Sequence, residues 1–252
     1  MMGRSHMAMG AVGAVLTAPI LLRTPEQPLF RWMLVAHAAP SIAWFFGYLV
    51  ACLFGSLLPD LDEFHSLASR KLEQVVVFTT LLGAAGLVFL LHLASLWVAW
   101  AGVLALTLAS RTAHNGSRRI GLGLLSLGIG YLAFRHVVPI LAAAGLVLWC
   151  VGAMWSKHRT FTHSLLAVAL LATAALASPM PAAWASLHWP LLSIGVLLGY
   201  LLHLLADAVA GGVPLLWPWP KRLGVRLVQT GSWQDRGIGL IAFASFLCML
   251  VF

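Results

Sequence analysis

The sequence predicts an all-α fold: a polytopic integral membrane helical bundle with roughly seven to nine membrane-embedded helices. Three observations predict it. Of the 252 residues, 61% are hydrophobic and 9% charged, and the mean hydropathy is +0.95; a soluble globular domain is about 45–50% apolar and about 25% charged. Apolar runs near the ~20-residue length that crosses the hydrocarbon core recur along the chain. No long polar linker or low-complexity stretch interrupts them, so residues 1–252 read as one membrane-embedded domain. The spanning elements are expected to be helices, because lipid cannot satisfy the backbone groups of an open strand.

Nine runs follow in order: 7–22, 40–58, 75–91, 93–110, 120–134, 137–155, 164–178, 189–207 and 237–252. The first contains Pro19 and lacks a small-residue cleavage site, which argues for a retained helix and against a cleaved signal peptide. The second runs into Pro59. The next six pair as three hairpins, and the last crosses alone. Runs 120–134, 164–178 and 237–252 are short, so tilted, partly buried or re-entrant helices are expected there. With this parity the N-terminus and loops 59–74, 111–119, 156–163 and 208–236 share one side, and deleting a whole hairpin leaves the parity intact.

The formal charge is +8. In a soluble protein that would suggest nucleic acid. In a membrane protein Lys and Arg collect in cytoplasmic loops, so nucleic acid is not an expected partner. Of the fifteen Lys and Arg, twelve fall on the shared side; Arg23, Arg31 and Arg135 fall on the other. The shared side is therefore expected to be cytoplasmic. Cys52, Cys150 and Cys248 lie inside apolar runs and read as small packing residues, not disulfide partners or metal ligands.

Five polar clusters are expected at that cytoplasmic level: His6, Asp60 with Asp62, His158 with His163, His203 with Asp207, and the loop 220–236. In "GSLLPDLDEFHS" (55–66) two carboxylates sit two apart at the end of an apolar run, and carboxylate oxygens suit divalent ions. The plainer reading is a solvated helix end with turn-forming Asp. In "KHRTFTH" (157–163) the imidazoles of His158 and His163 are candidate metal ligands. Lys157 and Arg159 carry fixed positive charge suited to phosphate. Thr162 is expected as the N-cap of the following helix, and the alternative is a basic interfacial loop. In "GYLLHLLADAVAGG" (199–212) His203 and Asp207 are four apart on one helical face within an apolar run. Ionisable groups there default to function, with an internal brace as the alternative. Seven candidate ligands (His6, Asp60, Asp62, His158, His163, His203 and Asp207) exceed one tetrahedral ion, which favours two or more divalent ions, with zinc the first choice. His92, His114, His136 and His188 have no acidic neighbours, His37 falls on the far side, and His65 enters only as a hydrogen-bond partner for Asp62.

Taken in order, "RSH" (4–6), "LPDLD" (58–62), "HRTFTHS" (158–164), "GYLLHLLADAVAGGVPLLWPW" (199–219) and "TGSW" (230–233) resemble the YdjM-like family of LexA-binding, inner-membrane-associated metal-dependent hydrolases. The resemblance spans nearly the whole chain. The motif order is also similar, more loosely, to the all-helical zinc-dependent phospholipase C and nuclease group. The resemblance implies a bacterial inner-membrane location, metal-dependent hydrolysis and the same seven ligands. One departure stands out. The family carries an acidic residue soon after the last "GS", where this chain offers Gln234 and then Asp235.

The expected function is hydrolysis of a phosphoester or ester in a lipid or other amphiphilic substrate, with metal-activated water. Asp62 or Asp207 would act as base, and Lys157 and Arg159 would hold the anionic group. Membrane lipid is the expected partner. The LexA-binding label implies a protein partner, but no partner motif is readable. Two alternatives remain: a non-catalytic regulatory or binding protein with a structural metal, and a metal-ion transporter. Against the transporter, the clusters lie at one face with no matching set at the midplane.

Overall fold

A computed structural model describes residues 3–22, 39–62, 67–90, 92, 94–112, 116–157, 159–177, 189–225, 227–229 and 231–251. Within them the chain is all-α. The helices are α1 (Gly3–Leu22), α2 (Ala39–Gly55), α3 (Leu67–Leu90), α4 (Trp97–Thr112), α5 (Gly116–Phe134), α6 (Ile140–Trp155), α7 (Leu165–Leu176), α8 (Trp189–Ala210) and α9 (Trp233–Val251). Two 3-10 turns, Leu58–Asp62 and Phe161–His163, follow α2 and precede α7. No strand occurs among the described residues, only an isolated antiparallel bridge between Val213 and Leu223.

Helix α8 is the axis of the molecule. Helices α1, α2 and α7 pack on it, α9 packs on α1, α6 joins α7 to α5, and α3 with α4 forms a hairpin against α5. The α2–α8 contact is close because the sequence makes it so. Gly195 and Gly199 are four apart on α8, the small-xxx-small spacing that lets two membrane helices approach. A Cβ on Gly199 would overlap the Cys52 carbonyl, and one on Gly55 would overlap the Val196 carbonyl. That approach carries the last turn of α2 alongside His203.

Several boundaries differ from the sequence expectation, each for a local reason. The fifth run extends N-terminally through Ser117, Arg118 and Arg119, since basic residues are good helix formers at a membrane edge; Arg119 sits over the Trp155 ring, 4.8 Å from its centroid. The last run likewise begins earlier, at Trp233, behind a cap described below. Helix α7 stays short at 12 residues, about 18 Å at 1.5 Å per residue. Its N-cap is Ser164, whose Oγ accepts from the Ala167 N–H at 3.3 Å. Thr162 is therefore not the cap; the 3-10 turn moves the helix start two residues on.

Among the described residues one helical segment, Pro190–Ala210, is long and apolar enough to cross a membrane, and further apolar helices are shorter. An apolar core is present, yet the outer surface is apolar as well. Large apolar side chains such as Ile20, Phe78, Leu127 and Phe134 face outward, while Ser5, His6, Ser56, Thr162, His163, Ser164, His203, Asp207 and Asp235 are buried. An outward apolar surface this extensive needs an apolar surrounding.

Candidate metal centre

Four separate elements deliver the cluster. The start of α1 brings His6, the 3-10 turn after α2 brings Asp60, the 3-10 turn before α7 brings His163, and one face of α8 brings His203 and Asp207. All five are buried. His203 Nε2 lies 3.6 Å from Asp60 Oδ1 and 3.7 Å from Asp207 Oδ2. His163 Nε2 lies 3.3 Å from Asp207 Oδ2 and 3.9 Å from Asp60 Oδ1. The two Nε2 atoms are 3.3 Å apart. His6 stacks on His203 with centroids 3.7 Å apart, and its Nε2 is 3.3 Å from Asp207 Oδ1.

These spacings fit a shared cation. For bonds of about 2.0–2.1 Å, tetrahedral zinc sets its ligand atoms about 3.3–3.4 Å apart. His163 Nε2, His203 Nε2 and Asp207 Oδ2 form a triangle with sides of 3.3, 3.3 and 3.7 Å, and Asp60 Oδ1 lies 3.6 and 3.9 Å from the two imidazole nitrogens. Protonation points the same way. His203 Nδ1 donates to the Ser56 carbonyl at 2.7 Å, because a carbonyl only accepts. In the neutral ring this leaves Nε2 as a lone pair facing two carboxylates and another imidazole, an arrangement that a cation relieves. His163 Nδ1 meets Thr162 Oγ1 at 3.1 Å, so its Nε2 also faces the cluster. His6 Nδ1 is buried with no hydrogen-bond partner among the described residues. Two ligand groups result, His6–Asp60–His203 and His163–His203–Asp207. One imidazole nitrogen cannot bridge two ions, whereas a carboxylate can. Asp207, with Oδ1 toward His6 and Oδ2 toward His163, is the side chain placed to span a pair.

Arg159 borders the cluster. Its Nη2 lies 3.4 Å from Asp207 Oδ2. Its backbone is in the left-handed region, at φ 56°, which costs a non-glycine residue about 1–2 kcal/mol. Its side chain is 18% exposed against 1% for Asp207, so Arg159 sits at the cluster's outer edge. Lys157 is exposed, and no contact joins it to the cluster among the described residues. His158 and His65 lie outside the described residues, as does the side chain of Asp62; only the backbone of Asp62 is seen, closing the 3-10 turn. His92 and His136 are exposed.

Asp235 is buried but serves α9. Its Oδ2 accepts from the Gly231 N–H at 2.8 Å, its own N–H donates to Ser232 Oγ at 3.3 Å, and its carbonyl accepts from Ser5 Oγ at 3.2 Å. This reciprocal cap ties the start of α9 to the residue before His6. Sequence reasoning missed two supports: the Ser56 carbonyl that orients His203, and Tyr200, whose hydroxyl donates to the Thr162 carbonyl. Tyr200 had a signal, since it lies three residues before His203 on the same face; a backbone carbonyl has none.

An apolar-faced helical protein with a buried His/Asp cluster suited to a divalent cation is the class these features define. The chain belongs to the YdjM inner membrane protein family, whose model matches residues 1–252. Over 100 residues it is 46% identical to the inner membrane protein YdjM of Escherichia coli (strain K12), and equally to that of Shigella flexneri. The match covers 38% of this chain and 44% of each relative, so it spans less than half their length. No solved structure matches the chain.

Proposed function

We propose that the protein is a multi-pass bacterial inner-membrane hydrolase. It cleaves a phosphoester or ester bond of a lipid or similar amphiphile at the cytoplasmic face. The observation that carries this reading is the buried convergence of His6, Asp60, His163, His203 and Asp207 from four separate elements. Bound there, zinc or another divalent ion, singly or as a pair, would polarise the scissile bond and lower the pKa of water. The chain's own residues divide the remaining work. Asp62 or Asp207 serves as base; Asp207 already engages the imidazoles through both oxygens. Arg159, already beside the cluster, takes the anionic group of the substrate. Lys157, exposed two residues earlier, adds charge at the mouth.

One observation favours a second reading, a regulatory or binding protein with a structural metal. His6, His163 and His203 are fully buried, and structural zinc sites are closed whereas catalytic ones keep an open position. Elemental analysis of detergent-purified wild type against His203→Ala, with phosphoester assays, separates the two. Metal lost in the variant together with hydrolysis supports the hydrolase. Metal without hydrolysis of any ester supports the structural role. Metal flux into liposomes would defeat both in favour of transport.

A further inference from the structure

A cavity of about 270 Å³ lies between α2, α5, α6, α7 and α8. Its lining is apolar, with Ser193 the single hydroxyl. Phe54 and Leu125 on its wall are 57% and 52% exposed, whereas Trp149 and Cys150 are buried. It is therefore a pocket that opens sideways, toward the surroundings of an inner-membrane protein. The Trp149 N–H on its wall is already taken by the Tyr200 hydroxyl.

The cavity is joined to the metal centre. Leu58, on its wall, belongs to the same 3-10 turn as Asp60. Val196 precedes His203 by seven residues on α8, about 10 Å along the axis. Trp149 bonds Tyr200, Tyr200 bonds the Thr162 carbonyl, and the Thr162 hydroxyl meets His163, so Thr162 links the cavity wall to a ligand. An ionic head at Arg159 and the cluster would thus leave a tail within reach of an apolar pocket that opens to lipid.

We propose that this cavity binds one hydrocarbon chain of the substrate, and so makes that substrate a lipid with an anionic head and not a water-soluble phosphoester. The inference rests on the hydrolase reading for the word substrate, and on the geometry alone for the bound chain. An apolar cavity of about 150 Å³ holds benzene, so this one accommodates about ten to twelve carbons. For short-chain esters dissolved as monomers, each methylene taken from water into the pocket should lower KM about three- to fourfold, with a plateau near that length.

The test uses a phosphatidic acid carrying a diazirine on its acyl chain, added to zinc-loaded protein in dodecyl maltoside, with labelled peptides mapped by mass spectrometry. Labelling concentrated around Trp149–Cys150 and Ser193–Leu197, and reduced about tenfold by Ser193→Trp at unchanged zinc content, is the expected result. Leu197→Phe serves in its place if Ser193→Trp does not fold. Labelling spread over outward residues such as Leu127, Phe134 and Leu240, and indifferent to either variant, overturns the proposal. So does disulfide-linked dimer formation by Ser193→Cys, which would give the pocket to a second copy of the chain. Kinetics keep the two readings apart. Focused labelling without hydrolysis of any ester upholds the chain pocket and defeats the hydrolase. Hydrolysis equally fast for chain-free and long-chain esters does the reverse.

Discussion

At the residue scale the cluster divides by side-chain chemistry. Imidazole nitrogen and carboxylate oxygen can coordinate; guanidinium, always charged, cannot. Arg159 and Thr162 both touch the cluster, so their substitutions should separate. Thr162→Val removes the hydroxyl that orients His163 through Nδ1. Loss of such a support typically weakens metal affinity about 10–100-fold. Arg159→Ala leaves every ligand nitrogen in place, so metal content should hold while turnover falls. Zinc titration with a competing chelator reads the first, and phosphoester kinetics read the second. Equal zinc loss in both variants would make Arg159 a structural brace of Asp207. Residue identity already marked His163, His203 and Asp207 as candidates. It carried no sign that the Ser56 carbonyl would hold His203, because that partner is backbone and 147 positions away.

At the scale of elements two contacts position the site. The first is the glycine seam between α2 and α8. A methyl at Gly199 has no room against the Cys52 carbonyl, and backbone cannot shift as a side chain can. Gly199→Ala should therefore destabilise the fold by about 1–3 kcal/mol, read from unfolding in mixed detergent micelles, and lower metal occupancy by moving Ser56 away from His203. The second is the cap on α9. Asp235 looks on sequence grounds like a stand-in for a family ligand, yet its carboxylate accepts from Gly231 N–H. Asp235→Ala should cost about 1 kcal/mol of stability and leave bound zinc unchanged. A variant that folds as well as wild type but loses its metal would return Asp235 to the ligand set.

At the scale of the molecule the proposal depends on sidedness. The starts of α1, α7 and α9 and the ends of α2 and α8 meet at one level, since His6, Asp60, His163, Asp207 and Asp235 lie together there. The proposal sets that level on the cytoplasmic side, where the sequence reading puts twelve of the fifteen basic residues. Single cysteines at Ser232 and at Arg135 sample the two ends. An impermeant maleimide should label Arg135→Cys in intact spheroplasts, and Ser232→Cys only after permeabilisation. The opposite pattern would move the site to the outer side and exclude a cytoplasmic substrate.

The sequence alone determined the helical class and the candidate ligands, because both are local properties. Hydropathy over about 20 residues identifies a membrane helix, and a charged or imidazole side chain within it is conspicuous against its neighbours. The i, i+4 spacing placed His203 and Asp207 on one face without any structure. What only the tertiary structure decided is which candidates meet and through which atoms. His6 and Asp207 are some 200 positions apart, and their 3.3 Å approach depends on α1 packing against α8. The convergence of the ligand atoms, the contacts of Asp207 with both His6 and His163, the capping role of Asp235 and the cavity beside Leu58 all arise from how the helices are seated, with the α2–α8 approach set by Gly55 and Gly199. Local pattern cannot encode those distances, because packing is a relation between elements and not a property of any one of them.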